Sequence, residues 1–345
     1  MTEPRRRGEP VRIVDVAALA GVSPSTVSKA LNNNGMLRDS TRERVREAAE
    51  KLGFVPHAGA RSLHTGRTYT VGLLSTDNAG RFSLPVVLGA ENALLAGQIS
   101  ALLATARHDP VREQHHIRSL VSRRVDGIIV TGRTTEPREP VAAPGPVVYA
   151  FAPSTDPQDA SVVPDDADGM HQVVEHLRSL GHRRLAFVGG RGDHRASHVR
   201  HEAAAAAAEA RAMTLAGEPR FGEWSERWGR HAVDMLVGDG LLGPDAADPV
   251  DGIVFASDQL ARGGADRLRE RGLRVPEDVA VTGYDDWQVM SLASRPPLTT
   301  VDMRLETLGQ RAAELLLAAL AGEPFHGTEL IRPRLVARDS TLGTS

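Results

Sequence analysis

Gly21 constrains the start of this chain more than any other residue, because it cuts one helical pattern just before a second begins at Pro24. Upstream, Ile13, Val16, Ala17 and Ala20 recur at helical spacing. At Gly21 that pattern stops and the chain can turn tightly. Ser23 and Pro24 then form a start signal: the serine hydroxyl accepts a free backbone N–H as N-cap, and proline suits the first helical position. The second helix is predicted from Pro24 to about Leu31, with Val27 and Leu31 facing inward. Asn34-Gly35 marks a turn. A third helix is predicted from about Asp39 to Leu52, with Val45, Ala48, Ala49 and Leu52 as its buried stripe and Gly53 as its stop. Two short helices on a glycine turn, braced by a third, make a helix-turn-helix. Its second helix turns Ser25, Thr26, Ser28 and Lys29 outward, groups able to reach phosphates and base edges. Pattern alone also fits a plain three-helix bundle with a polar face.

Charge sets this segment apart from the rest. Up to Arg67, twelve basic residues stand against seven acidic ones, +5 in a chain of −3, so the remainder carries −8. A basic head on an acidic body points to a polyanion as the partner of the head. With 345 residues, two or three domains are expected. The absence of cysteine excludes a disulfide framework, a thiolate metal site and a thiol nucleophile, and fits a reducing cytoplasm. Arg5, Arg6 and Arg7 lead into Gly8, Glu9 and Pro10 rather than an apolar run, so no export signal is expected. No run of about 18 apolar residues predicts a membrane span.

The run Val14-Asp15-Val16-Ala17-Ala18-Leu19-Ala20-Gly21-Val22-Ser23-Pro24-Ser25-Thr26-Val27-Ser28-Lys29-Ala30-Leu31-Asn32 resembles the headpiece of the lactose-repressor (LacI/GalR) family almost residue for residue. The likeness continues through Thr41-Arg42-Glu43-Arg44-Val45 and Leu52-Gly53-Phe54-Val55-Pro56. It implies that Pro24, Ser25 and Lys29 read bases in the major groove, and that Thr26, Ser28 and Asn32 contact phosphates, positioning rather than specifying. Two departures leave the operator sequence open. Lys29 stands where arginine is common, replacing a bidentate grip on guanine by a flexible point charge. Pro24 offers only apolar contact, as to a thymine methyl.

Residues 1–10 are then expected as a disordered basic tail, 11–56 as the DNA-binding domain and 57–67 as a hinge. The resemblance implies a hinge helix that forms only when paired with its twin on DNA, with Leu63 wedged into the minor groove, Ala60 at the close approach and Arg61 on a phosphate. So short a segment holds no helix alone in water, and an unstacking wedge costs a few kcal/mol that extra contact returns. A flexible linker is the competing reading, favoured by Gly59, since glycine weakens a helix by roughly 1 kcal/mol.

From residue 68 to 345, short apolar runs at 70–74, 127–131, 147–151, 184–189, 252–255 and 279–283 alternate with helical patterns such as 169–180 and 259–271. That alternation implies parallel sheets flanked by helices, in two lobes, with a ligand between them at the C-terminal strand edges. Three further phrases resemble the same family: residues 180–190, Gly283-Tyr284-Asp285-Asp286 and Pro296-Pro297-Leu298-Thr299-Thr300-Val301. The fold class implied is an all-α helix-turn-helix headpiece plus an α/β body like the periplasmic sugar-binding proteins. Carried over singly, Asp285 accepts from ligand hydroxyls, Arg200 donates to a ligand oxygen, Trp224 stacks on a sugar face, and Phe82 lines the cleft. Ser257 stands where asparagine is usual, and Phe151 where polar residues are usual, so a less polar pocket is expected.

Enzymatic readings find little support. Gly189-Gly190-Arg191-Gly192 lacks the G-x-G-x-x-G spacing of a dinucleotide site. Asp285 and Asp286 are adjacent and cannot flank a glycosidic bond. The thirteen histidines form no H-E-x-x-H; His115, His116, His194, His198 and His201 read as solvated helix-surface groups. No metal or cofactor is expected. The alanine run 203–208 reads as helix former alone. The chain is thus expected to be a cytoplasmic, nucleoid-associated homodimer on a pseudo-palindromic double-stranded operator, tuned by a sugar-like effector. The alternative is an effector-independent regulator that uses its body only to dimerise. No heptad tail predicts a tetramer. Leu63→Ala is expected to weaken operator binding far more than nonspecific binding in parallel titrations; equal losses would exclude the wedge.

Overall fold

The computed structural model describes residues 11–31, 35–54, 66–77 and 80–343, in two compact units, residues 1–68 and 69–345. The first unit is built from helices α1 (Ile13–Ala20), α2 (Pro24–Leu31) and α3 (Asp39–Leu52). Gly21 and Gly53 end α1 and α3 at φ 63° and 62°, the left-handed conformation that favours glycine. Ser23 caps α2 as expected, its Oγ accepting the Thr26 N–H at 3.2 Å. The apolar positions meet in one small core of Val16, Ala17, Ala20, Val27, Ala30, Val45, Ala48 and Ala49. Arg44 reaches from α3 to the end of α1, its Nε donating to the Ala20 carbonyl at 2.9 Å. Asn32 and the hinge residues Ala60, Arg61 and Leu63 lie outside the described residues.

The second unit holds a six-stranded sheet ordered β11-β5-β4-β3-β1-β2 and a four-stranded sheet ordered β7-β6-β8-β9, both wholly parallel, plus an antiparallel pair β10-β12. The strands are β1 (Thr70–Ser75), β2 (Ser100–Thr105), β3 (Gly127–Thr131), β4 (Val147–Ala150), β5 (Ala160–Pro164), β6 (Arg184–Val188), β7 (Thr214–Leu215), β8 (Gly252–Phe255), β9 (Ala280–Thr282), β10 (Thr300–Asp302), β11 (Gly327–Ile331) and β12 (Arg334–Val336). Between them run α4 (Ser83–Ala96), α5 (Pro110–Ser122), α6 (Asp166–Ser179), α7 (Arg195–Glu209), α8 (Glu226–Gly238), α9 (Asp258–Glu270), α10 (Gln288–Ser291), α11 (Leu305–Ala321) and α12 (Asp339–Leu342).

All six strands expected from apolar runs are present, most displaced by a residue at an end. Helix α6 starts three residues before the predicted 169 because Asp165 caps it, its carboxylate accepting the Asp168 N–H at 2.9 Å. The lobes are not consecutive in sequence. After building the second sheet, the chain returns with α11 and β11 to finish the first, β11 pairing with β5. It crosses between lobes near Pro164, near Asp302 and again after Ile331.

Each lobe has one helix pair in backbone contact. In the first, a Cβ on Gly89 of α4 would lie 1.9 Å from the Glu306 carbonyl oxygen, and one on Gly309 of α11 would lie 1.9 Å from that of Val86. In the second, Gly229 of α8 and Gly263 of α9 stand in the same relation to the Leu260 and Glu226 carbonyls, at 2.1 and 2.0 Å. Among the described residues, no helix is long and apolar enough to cross a membrane. Gly309→Ala is expected to lower unfolding free energy by about 2–3 kcal/mol despite alanine's helix propensity, because the methyl has only backbone to push against. In urea melts Gly238→Ala, with open space around its Cβ position, should be neutral or slightly stabilising.

Candidate nucleic-acid interface and ligand cavity

On α2, burial of Val27 and Ala30 in the head's core leaves Pro24, Ser25 and Lys29 exposed and Thr26 and Ser28 half-buried. At 3.6 residues per turn, positions 24, 25, 28 and 29 share about 140° of arc, one outward face. The Ser23 hydroxyl lies 2.8 Å from that of Ser25 and 2.9 Å from that of Thr26, so the first turn carries a cluster of ordered hydroxyls beside the Lys29 charge. Arg42 holds the loop after α2, its Nη2 donating to the Gly35 carbonyl at 2.8 Å.

In the second unit, Phe82, Phe151, Arg200, Trp224, Ser257 and Asp285 all line one cavity of about 480 Å³ between the lobes. Each comes from an element end or helix face at the lobe junction. Phe82 precedes α4 and Phe151 follows β4 at φ 79°, and their rings stack at 5.1 Å. Ser257 caps α9, accepting the Leu260 N–H at 3.3 Å. Trp224 lies over Gly190, where a Cβ would come within 2.1 Å of the indole. The glycines that fail as a dinucleotide motif therefore seat an aromatic ring.

Arg200 and Asp285 are committed to the protein as well as to the cavity. Arg200 is 5% exposed; its Nε donates to Asp166 Oδ1 at 3.0 Å and its Nη1 to the Ala256 carbonyl at 2.7 Å. Its guanidinium lies 3.7 Å from the centre of the Tyr284 ring, and Nη1 is 3.6 Å from Asp285 Oδ1. Burial opposes that charge, but Asp166, the Tyr284 hydroxyl and Asp285 together outweigh it and hold Arg200 more firmly protonated than usual. Asp285, at φ 105°, also takes a hydrogen bond from Arg81. Burial pushes its carboxyl above the usual range, although Arg81 and Arg200 pull it back. Asp258 is raised further by burial and by nearby Asp285, while the Thr300 hydroxyl and Trp287 N–H hold it. Asp286 turns away to Arg338 at 2.7 Å.

Sequence reasoning missed Arg81, which crosses from the first lobe to Asp285 with its guanidinium 4.6 Å from the Phe82 ring centre and 4.2 Å from that of Trp287. Its partner is 204 positions away, so no local signal announces it. It also missed the wall residues Arg133, Thr135 and Gln259. Two histidines correct the expectation of solvated surface groups. His194 lies in the cavity wall and accepts the Trp224 Nε1–H at Nδ1, 3.0 Å away. His201 is half-buried, 5.1 Å from the Phe187 ring, because α7 lays that face on the sheet; burial lowers its pKa. The alanine run also does more than favour helix: Ala203, Ala204, Ala207 and Ala208 are buried and let α7 pack closely. Arg200→Met is expected to cost about 3–5 kcal/mol in chemical denaturation by stranding buried carboxylates, and Asp166→Asn in the same chain should recover part of it.

Residues 12–57 match the family model described as bacterial regulatory proteins, lacI family, and residues 174–341 match the periplasmic binding protein-like domain. The HTH-type transcriptional regulator CelR of Thermobifida fusca is 34% identical over 336 residues, covering 94% of this chain and 96% of that protein. Catabolite control protein A of Priestia megaterium is 30% identical over 341 residues, 96% and 99% of the two chains. Among solved structures, a lac repressor dimer bound to operator and the anti-inducer ONPF matches with a TM-score of 0.76 at 26% identity, covering 96% of this chain and 99% of that one. A CelR–cellobiose complex matches with a TM-score of 0.64 at 29% identity, over 96% and 99%. This chain is a DNA-binding transcriptional regulator and belongs to the lacI family of bacterial regulatory proteins.

Proposed function

We propose that the protein is a homodimeric repressor of catabolic genes, bound to a pseudo-palindromic operator on the bacterial chromosome and released or tuned by a sugar-like effector held between its lobes. The observation that carries the reading is the convergence of Phe82, Phe151, Arg200, Trp224, Ser257 and Asp285 on one cavity. Those residues span 204 positions of sequence, and each was nominated by resemblance alone. The volume of about 480 Å³ suits a mono- or disaccharide-sized ligand. CelR of Thermobifida fusca is a relative at 34% identity, and a CelR–cellobiose complex is among the solved structures this chain resembles.

In this reading Pro24, Ser25 and Lys29 read bases, Thr26, Ser28 and Asn32 touch phosphates, and Ala60, Arg61 and Leu63 work in the minor groove. The first lobe supplies a surface for a second copy. Leu84, Leu88 and Leu95 are exposed on α4 within about 40° of arc, and Leu102 and Leu103 are exposed on the edge strand β2. A self-complementary patch of that kind suits a two-fold interface.

The test is thermal melting of the full-length protein against mono- and disaccharides and their charged derivatives, followed by operator release measured by fluorescence anisotropy. A true effector at about 100 times its dissociation constant adds about 2.7 kcal/mol of stability. Trp224→Ala is expected to abolish that response while leaving operator affinity intact. If no compound in the set shifts the melt, the body serves dimerisation alone and the effector half of the proposal fails.

A further inference from the structure

The cavity has a specific imbalance in what it leaves unsatisfied. Its four carboxylates are all engaged: Asp77 accepts the Ser83 hydroxyl at 3.0 Å, Glu136 accepts the Arg195 N–H at 2.7 Å, Glu223 lies 3.5 Å from Arg191, and Asp285 sits between Arg81 and Arg200. The donors are not. Arg133 stands exposed on the wall with no carboxylate partner among the described residues. Thr135 is 4% exposed and its hydroxyl has no hydrogen-bond partner; Arg81 Nε is likewise buried without one. His194 accepts from Trp224 at Nδ1, which leaves the ring proton on Nε2 as a further donor. A wall whose carboxylates each have a partner, while several donors have none, suits a ligand rich in acceptors.

We infer that the effector is an anion, a hydroxylated small molecule bearing a carboxylate or phosphate, which takes Arg81 and Arg133 as its charge partners and leaves Asp285 to Arg200. The inference rests on the interlobe cavity being the effector site. Arg81 is the residue placed to make this exchange, since its side chain is 18% exposed while that of Asp285 is 4% exposed. The same Arg81, Phe82 and Asp285 also line a second cavity of about 890 Å³. A neutral ligand that displaced Arg81 would strand its charge. An anion replaces the partner it removes, and Asp285 keeps a guanidinium 3.6 Å away. On this proposal Asp285 stays with its guanidinium partner rather than serving as the free acceptor of sugar hydroxyls that the resemblance implies.

The test is isothermal titration of full-length protein, at matched ionic strength, with hexoses and disaccharides, then their aldonic and uronic acids, then their phosphate esters, with inorganic phosphate as the charge alone. The tightest ligand should be an acid or a phosphate, bound at least about tenfold more tightly than its neutral parent. Preference for one charged series over the other names the anion. Arg81→Gln and Arg133→Gln should each lower the ratio of charged-ligand to neutral-parent affinity about ten- to hundredfold, as loss of a charge-assisted hydrogen bond predicts. Arg133 is exposed, so its variant tests the assignment even if Arg81→Gln unfolds. A neutral sugar that binds as tightly as its charged derivatives, or charged ligands indifferent to both substitutions, overturns the anion assignment and leaves the effector site standing. If nothing in any series binds, both fall together.

Discussion

The cavity-facing edge of the second lobe depends on a buried cation. Arg200 is drawn from the face of α7 into contact with the first turn of α6 through Asp166, the end of β8 through the Ala256 carbonyl, and the end of β9 through Asp285 and the Tyr284 ring. Each is a point where the chain leaves a strand or enters a helix. A buried charge is tolerated only when nearly every donor is satisfied, so the register of α6, α7, β8 and β9 is set together. The cavity inherits that rigidity, because Ser257 and Asp285 stand one residue beyond Ala256 and Tyr284.

Rigidity inside each lobe has a different source. Two glycine-bearing helix pairs, one per lobe, bring backbones into contact where any side chain would hold them apart. The pairs are equivalent in geometry but not in sequence order. The second lobe pairs the neighbours α8 and α9, whereas the first pairs α4 with α11, which arrives more than 200 residues later. The first lobe is therefore incomplete until α11 and β11 have been added, and the crossing strands are the consequence.

Legibility in the sequence follows the range of the physics. The head could be read almost whole, because its turn, caps and stripes are local: Gly21, Ser23, Gly53 and the Val16–Val27–Val45 core lie within a few dozen residues. The buried central strands announced themselves as apolar runs. The edge strand β2 did not, since Leu102 and Leu103 face outward without alternation, and β11 carries alternating burial too short to stand out. The cavity was legible only where resemblance supplied positions. Arg81, Thr135 and His194 carry no signature in isolation, and their importance comes from partners brought near by folding. Gly190 shows the opposite failure: its motif was visible and its purpose, space for Trp224, was not.

At the cavity the two lobes are joined electrostatically. Arg81 from the first lobe is held by a carboxylate and an aromatic ring of the second, Asp285 and Trp287. Separating the lobes breaks both contacts at once and exposes a carboxyl whose burial already disfavours its charge. An occupant shifts the balance between lobe arrangements only by interacting differently with each. A molecule that merely fills the space beside an intact Arg81–Asp285 pair contributes little difference. One that exchanges partners with the pair acts on the bond that joins the lobes, and so gains the most control over them from the fewest atoms.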